Sequence, residues 1–484
     1  MSTSLEAKAI KFHVPLTPTQ QAFVESDAPI VAIIGPEGEG KTYTGLAAAI
    51  YHAERRMNGK PLSGAIIRDT FENIKNKTRD SIQKAIQTIA DENDDPAYCG
   101  AWRWSDGGRQ LTGPHGIHFN LFGANELGDL TRLQGADMWS FIWIEEPAPM
   151  YLGNNAGVPK EVFDACVSRA ARGGGAMRLQ ITMNPADEEH WTFDKLKKNP
   201  IMRPPETPDI WTEVFHIPYG DNPARTELMR QATMAAYKDD EALYARLVKG
   251  EFAFVKLGPE VTPEYKAVVD GRAWHYTGKP IAVIPKAYGV RSWDGGHWPT
   301  CIIGQITSLG RLQIIHCFRG EHIGMKQLIE TRVKPILALR YSGITDWFDT
   351  GDPSLETGDD SDIEQSPKRV IEKQLNTVFQ GASHWPAVKE PMKAALNLAI
   401  DGKPYVEVGS EAEILHKALR GGWHYKKLTT GEILKDKPEK DKHSHPGDCF
   451  GALCLKLLGA QPKKKAPESK PAPAFTGPHD WQGL

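Results

Sequence analysis

Short apolar runs closed by polar or turn residues recur along the first half of the chain. They are PIVAII (residues 29–34), SGAIIRDT (63–70), GIHFNLFG (116–123), SFIWIEE (140–146) and MRLQITMNP (177–185). PIVAII suits a parallel strand buried on both faces, and the others predict further strands. Between them, KTYTGLAAAIYHAERRM (41–57) and ENIKNKTRDSIQKAIQTIAD (72–91) carry good helix formers and basic or spaced apolar positions, which predicts helices. Strand alternating with helix predicts a mostly parallel α/β sheet.

The second half reads differently. AYGVRSWDGG (287–296) is followed by TCIIGQIT (300–307) and RLQIIHCF (311–318), two strands at hairpin spacing around SLG. GMKQLIETRVKPILALRY (324–341) predicts an amphipathic helix, ITDWFDTGDPS (344–354) another strand, and HSHPGDCFGALCLKLL (443–458) a late apolar helix. Three strands, a helix, a strand and a late acid-bearing helix are the layout of an RNase H-like fold. The last stretch, GAQPKKKAPESKPAPAFTGPHDWQGL, is rich in Pro, Lys and Ala and predicts a disordered tail over 459–484, or a docking peptide ending in Trp481.

A chain of 484 residues has room for two or three cores. Its formal net charge is −3, so any nucleic-acid contact needs local basic patches. No apolar run reaches the roughly 18 residues of a membrane span, and the start lacks the apolar core of a signal peptide. The six cysteines contain no Cys-x-x-Cys pair, which fits a reduced chain better than a disulfide framework or a zinc site.

The turn after PIVAII carries chemistry. GPEGEGKT meets the pattern Gly-x-x-x-x-Gly-Lys-[Ser/Thr] through Gly35, Gly40, Lys41 and Thr42, with Gly38 between. Strand before and helix after let backbone N–H groups and a helix N-terminus cradle phosphates. Lys41 would then reach the β and γ phosphates and Thr42 would hold Mg²⁺. The acids Glu37 and Glu39 are unusual in such a turn, and their side chains are expected to point outward. Glu145 and Glu146 close an apolar strand, where one acid orients the Mg²⁺ shell and the next activates water. Thr182 and Asn184 end the following strand, where small polar groups can sense a γ-phosphate. Gln20, in PLTPTQQAF, carries an amide able to read an adenine edge.

In the second half, carboxylates stand at three element ends. Two divalent ions about 4 Å apart can clamp the attacking and leaving oxygens of a phosphodiester, and they need oxygen ligands converging from different elements. Asp294, Asp352 and Asp448 are the candidates, with Asp349 the rival for the second position. His443 and His445 precede Asp448 and read as solvated loop histidines or as helpers of a metal or phosphate.

In this order, the segment with Gln20, the phosphate turn, LQGADMWSFIWIEE, ITMNP, IPYGDNPA, LVKGEFAF and the three acids resemble the large terminase subunit of tailed bacteriophages. The resemblance covers roughly residues 15 to 460. It implies a P-loop (ASCE, RecA-like) ATPase domain over 1–255, a linker over 256–280 and an RNase H-like nuclease domain over 281–458. It implies ATP and Mg²⁺ as cofactors, with Mn²⁺ possible in the nuclease site. Residue by residue it makes Glu145 the acid of the metal shell, Glu146 the catalytic base, Thr182 and Asn184 the coupling motif, and Asp294, Asp352 and Asp448 the nuclease metal ligands. It also implies double-stranded DNA, a portal protein on a procapsid and a small terminase subunit as partners. A homo-oligomeric ring in the host cytoplasm, transiently on the procapsid, completes that picture. Two features depart from the family: Glu37 stands where an arginine is common, and Gln134 stands where another arginine is common. Arg132, Arg169 and Arg172 are therefore candidates for the missing positive charge, Arg132 as an arginine finger. A superfamily 2 helicase would need a second RecA-like domain with an arginine-rich helix, and a P-loop scaffold would need a dead second half.

Overall fold

The computed structural model describes residues 13–125, 139–150, 157–170, 177–202, 210–356, 366–428 and 432–459. The chain forms two compact units, Met1–Val255 and Lys256–Leu484.

The first unit is built on eight strands: β1 (Ile30–Ile34), β2 (Ser63–Arg68), β3 (Arg103–Ser105), β4 (Gln110–Gly113), β5 (Ile117–Gly123), β6 (Phe141–Glu145), β7 (Arg178–Met183) and β8 (Thr212–His216). Their order in the sheet is β3-β4-β5-β2-β6-β7-β1-β8. From β5 to β8 every pairing is parallel, and β3 and β4 add an antiparallel edge. Every residue of β1, β6 and β7 is buried. β1 and β6 are unalternated apolar runs, whereas β7 alternates Leu179, Ile181 and Met183 with Arg178, Gln180 and Thr182, whose buried polar groups are hydrogen-bonded. One strand, β7, separates β1 from β6, which makes the sheet the RecA-like ASCE arrangement.

Helix α1 (Pro18–Glu25) and helix α2 (Lys41–Arg55) pack with the β1 side chains Val31 and Ile33. The helix Lys160–Ala170 packs on the opposite face, against Ile30, Ala32 and Ile34. Gly45 lies inside α2, where glycine costs roughly 1 kcal/mol relative to alanine. Any Cβ there would collide with the indole of Trp143, so the glycine lets the first turns of α2 lie directly on β6.

The second unit holds a six-stranded sheet whose strands lie in the order Phe379–Gly381, Trp347–Gly351, Tyr288–Asp294, Thr300–Ile306, Leu312–Arg319 and Val406–Val408. A short hairpin, β9 (Val268–Val269) and β10 (Arg272–Ala273), precedes β11 (Tyr288–Asp294), β12 (Thr300–Ile306), β13 (Leu312–Arg319), β14 (Trp347–Gly351) and β15 (Phe379–Gly381). β16 (Ala399–Ile400) and β17 (Lys403–Pro404) form a second hairpin before β18 (Val406–Val408), and β19 (Tyr425–Lys427) pairs with β20 (Ile433–Pro438). β12 runs antiparallel to both β11 and β13, while β14 runs parallel to β11 and β15 to β14. This is the RNase H-like sheet. The helix Ser444–Leu458 carries buried Cys449, Phe450, Leu453 and Cys454 into the core on one face. A second core, around Trp293, Ile303 and Ile329, fills the other.

The segment 256–280 is not a linker. Val261 and Tyr265 belong to the core of the second unit. The Thr262 hydroxyl donates to the Leu419 carbonyl at 2.7 Å, and Tyr265 Oη lies 2.9 Å from His416 Nδ1. Val261 and Tyr265 stand at a helix-like spacing of four, but Pro263 lies between them and the segment forms no helix, yet both are buried. The tail 460–484 lies outside the described residues.

Candidate functional site

In the first unit the chemistry gathers at the carboxyl ends of the parallel strands, where open α/β sheets bind ligands. The turn after β1 takes two left-handed residues, Gly38 (φ +80°) and Gly40 (φ +79°), a conformation costly for side-chain-bearing residues. Gly35 closes the strand, its N–H donating to the Met183 carbonyl at 3.2 Å. Gly40 hands over to α2, whose first helical residue is Lys41 and whose first turn contains no acid. The N–H groups there suit an anion.

A cavity of about 810 Å³ opens over this turn, lined among others by Gln20, Gly40, Lys41, Thr42, Glu146 and Asn184. Lys41 Nζ donates to the Pro36 carbonyl at 2.6 Å and to Asn184 Oδ1 at 2.8 Å. Burial lowers its pKa, and the nearby acids, Glu146 foremost, oppose that. Gln20 is buried, and its Oε1 caps α1 by accepting the Thr17 N–H at 3.0 Å. Its Nε2 lies beside Gly40.

Glu145 and Glu146 have different surroundings. Glu145 is 2% exposed and accepts three hydrogen bonds. Thr42 Oγ1 donates to Oε1 at 2.8 Å, Arg68 Nη1 to Oε2 at 2.9 Å, and the Thr78 hydroxyl to the same Oε2. Glu146 leaves the strand at φ +45°, a backbone state rare outside glycine. That turn directs the second acid into the cavity. Its N–H donates to the Thr182 carbonyl at 2.8 Å, and its Oε2 accepts the Asn184 N–H at 3.1 Å. Burial raises its pKa, and Lys41 pulls it back.

The strand-end pair Thr182 and Asn184 divides. Asn184 reaches the cavity, whereas the Thr182 hydroxyl is turned into the core and accepts the Trp143 indole N–H at 2.8 Å. Only the Thr182 carbonyl takes part, through Glu146.

The two acids of the turn also divide. Glu37 is exposed, 3.2 Å from the Tyr237 hydroxyl. Glu39, expected to face outward, is fully buried. It accepts the N–H groups of Gly220 (3.1 Å) and Asn222 (2.8 Å) and the Arg225 guanidinium (3.2 Å). Arg225 also donates to the Glu37 carbonyl at 2.6 Å, and the Asn222 side chain donates to the Gly38 carbonyl at 2.7 Å. Arg225, which no motif singles out, is thus a positive charge beside this turn, and it is paired with Glu39. Arg169 lies in the last turn of the helix on the opposite face of the sheet from α2. Arg132 and Arg172 lie outside the described residues, as does Gln134.

In the second unit, parallel pairing of β11 with β14 sets Trp293 opposite Gly351, so Asp294 and Asp352 leave adjacent strand ends. The Asp352 N–H donates to the Trp293 carbonyl at 3.0 Å. The helix Ser444–Leu458 packs on this sheet and brings Asp448 to them. Burial pushes the Asp448 carboxyl up to about 6, and the negative charges of Asp294 and Asp352 add to that against the pull of Lys440. Lys440 Nζ lies 2.5 Å from Asp448 Oδ2, His445 Nδ1 2.6 Å from Asp294 Oδ2, and His384 Nδ1 3.8 Å from Asp352 Oδ2. His443 and His445 are not solvated: His443 is 5% exposed and the His445 side chain 14%.

Asp349, the rival acid, is fully buried and saturated. It accepts a forked pair of bonds from Arg291 at 2.9 and 2.6 Å, the Trp293 indole N–H at 2.8 Å and the Thr377 hydroxyl at 2.6 Å. It pins β11 to β14 beneath the cluster.

Among the described residues, no group of three or more His, Cys, Asp or Glu side chains is arranged to hold a metal ion. Lys440 lies against Asp448 and His445 against Asp294, and the Lys440 ammonium supplies counter-charge. Three converging carboxylates, one with its charge disfavoured by the other two, are nonetheless the oxygen-donor set a hard divalent cation takes.

No protein-family model matches the chain, and no curated protein matches it. Among solved structures it is similar to the large terminase of the thermophilic bacteriophage D6E in complex with ADP, at 15% identity over 92% of this chain and 100% of that one, with a TM-score of 0.37. It is similar to the HK97 bacteriophage large terminase at 14% identity over 93% and 96%, with a TM-score of 0.38. The P22 large terminase nuclease domain aligns at 11% identity over 37% of this chain and 85% of that one, with a TM-score of 0.24.

Proposed function

We propose that the chain is a DNA-packaging enzyme of the large terminase kind, an ATPase in its first unit and a metal-dependent endonuclease in its second. The observation that carries this reading is the presence in one chain of two separate sites. One is a phosphate cradle in which Thr42 meets Glu145 and Lys41 meets Asn184. The other is a carboxylate cluster at the strand ends of an RNase H-like sheet. A second RecA-like sheet, which a helicase would need, is replaced by that nuclease-type sheet.

In the first site the backbone N–H groups of 38–42 and Lys41 bind the phosphates of ATP. Thr42 and Glu145 would hold Mg²⁺, which offsets phosphate charge. Glu146, with its raised pKa, takes the proton of the attacking water. Asn184 touches Lys41 through its side chain and Glu146 through its N–H, so it can report the γ-phosphate to both. In the second site Asp294, Asp352 and Asp448 would hold Mg²⁺ or Mn²⁺, which supplies charge for phosphodiester cleavage. Double-stranded DNA is moved at the expense of the ATP hydrolysed in the first site and is cleaved in the second. A portal on a procapsid, a small terminase subunit and a ring of copies in the host cytoplasm belong to the same proposal.

The test is a separation of functions. The purified chain is expected to hydrolyse ATP and to nick plasmid DNA with Mg²⁺ or Mn²⁺. Lys41→Ala should lose the first activity and keep the second, and Asp294→Ala the reverse. Unchanged nicking in Asp294→Ala would sink the nuclease assignment.

A further inference from the structure

Glu145 is held from behind by two residues outside every motif. Arg68 is the last residue of β2, and the parallel register of β2 with β6, in which Ile67 faces Ile144, brings it level with Glu145. Thr78 closes a π-helical turn, Ile74–Thr78, and is fully buried. Such turns recur at functional sites, because one extra residue re-aims the side chains that follow. Arg68 Nη1 donates both to Thr78 Oγ1 and to Glu145 Oε2, each at 2.9 Å, and the Thr78 hydroxyl donates a hydrogen bond to the same Oε2. Both donors take Oε2. Oε1 is left to Thr42 and, with a lone pair remaining, to the water shell of a cation beside Thr42.

The charges divide the same way. The site holds two acids, buried Glu145 and partly buried Glu146, and two bases, buried Lys41 and partly buried Arg68. Arg68 pairs with Glu145, while Glu146 is the acid acting most strongly on Lys41. Without Arg68, a carboxylate 2% exposed would lack its cation and draw on Lys41, the next one within reach. Lys41 would then be turned from the phosphates it is proposed to bind.

We propose that Arg68, with Thr78, is a positioning residue of the ATP site. It locks Oε2 of Glu145 so that Oε1 faces Thr42, and it thereby sets how much divalent cation nucleotide binding requires. The inference rests on reading the first unit as an ATP site, and the experiment separates the two.

Binding of a fluorescent ATP analogue to the full chain is titrated with Mg²⁺, and separately measured in EDTA, for the wild type, Arg68→Lys, Arg68→Met and Thr78→Val. Expected in Thr78→Val is a rise of about tenfold in the Mg²⁺ concentration that half-saturates the enhancement, the size of one lost hydrogen bond to a charged group. Arg68→Met should rise further, and Arg68→Lys, which keeps the charge without the fork, should fall between it and the wild type. Affinity in EDTA should stay within about twofold for Thr78→Val, since that variant leaves Lys41 and its counter-charges in place. A purely structural role would instead lower the melting temperature and affinity alike, with the Mg²⁺ midpoint unmoved. An unmoved midpoint in folded Thr78→Val and Arg68→Met overturns the inference. If Arg68→Met does not fold, Thr78→Val alone decides. A wild-type chain that binds no nucleotide with or without Mg²⁺ overturns the ATP reading itself.

Discussion

Glu39 and Arg225 lie against each other behind the phosphate-binding turn, with Oε1 of the carboxylate 3.2 Å from the guanidinium. The contact is 0% exposed on the acid and 7% on the base. Glu39 therefore does not oppose phosphate at the mouth of the turn. It ties the turn to residues 220–225, and Asn222, Pro223 and Ala224 of that loop line the cavity.

Arg225→Ala should leave a buried carboxylate without its cation. The N–H groups of Gly220 and Asn222 remain, so the loss should sit at the low end for such pairs, about 3 kcal/mol. Thermal unfolding should show a lower transition, and ATP should bind more weakly. Adding Glu39→Gln to that variant should restore part of the melting temperature, because a neutral amide needs no counter-charge. No recovery would mean the arginine answers something other than the charge of Glu39.

Asp349 and Asp352 should part in mutagenesis. Asp349→Ala leaves Arg291, 3% exposed, without its partner, and should cost about 3–5 kcal/mol of stability. Asp352→Asn should unfold at or above the wild-type temperature, since it removes one of three crowded negative charges, yet fail to nick plasmid DNA. Intact nicking in Asp352→Asn would return the second acid to the open list.

Elements with a contiguous signature were legible from the chain alone. Buried strands such as IVAII and FIWIE announce themselves as unbroken apolar runs, and the phosphate turn is a local pattern. What depended on pairing was not. Arg68 stands at the end of a recognisable strand, but its meaning needs the neighbour in the sheet, β6, which follows 70 or more residues later. Glu39 is buried by a loop about 180 residues away, so its own surroundings in the sequence suggested solvent. Asp349 and Asp352 sit on one short stretch, and choosing between them required the forked contact of Arg291 from another strand. Thr182 and Asn184 look equivalent at a strand end, yet the hydroxyl of Thr182 is claimed by an indole across the sheet. Val261 and Tyr265, in the expected linker, share a helix-like spacing that Pro263 interrupts, and the segment is held as irregular chain by Leu419 and His416, about 150 residues away.

The pair at the end of β7 should also divide. Thr182→Val leaves the buried Trp143 N–H unpaired and should cost about 1–3 kcal/mol of stability while sparing nucleotide affinity. Asn184→Ala removes a partner of Lys41 in the cavity and should lower kcat for ATP with little change in melting temperature. Steady-state kinetics beside a thermal melt distinguish the two, and a kcat loss confined to Thr182→Val would reverse the assignment.

The raised pKa of Asp448 makes the second unit respond to pH and metal together. A carboxyl whose pKa climbs from 3.8 to about 6 on folding binds its proton more tightly in the folded state. The stability it contributes is full below about pH 4 and is lost as pH rises through about 6, a loss of at most about 3 kcal/mol. The pull of Lys440 is already contained in that value, and a divalent cation would offset the cost that remains. Mg²⁺ should therefore raise the melting temperature of the second unit clearly at pH 8 and little at pH 5, where the cation competes with a proton. Asp448→Asn removes the buried charge. Its metal-free melting temperature at pH 8 should exceed that of the wild type, and the rise with Mg²⁺ should disappear. An equal Mg²⁺ shift in wild type and Asp448→Asn, at both pH values, would show that the ion binds elsewhere.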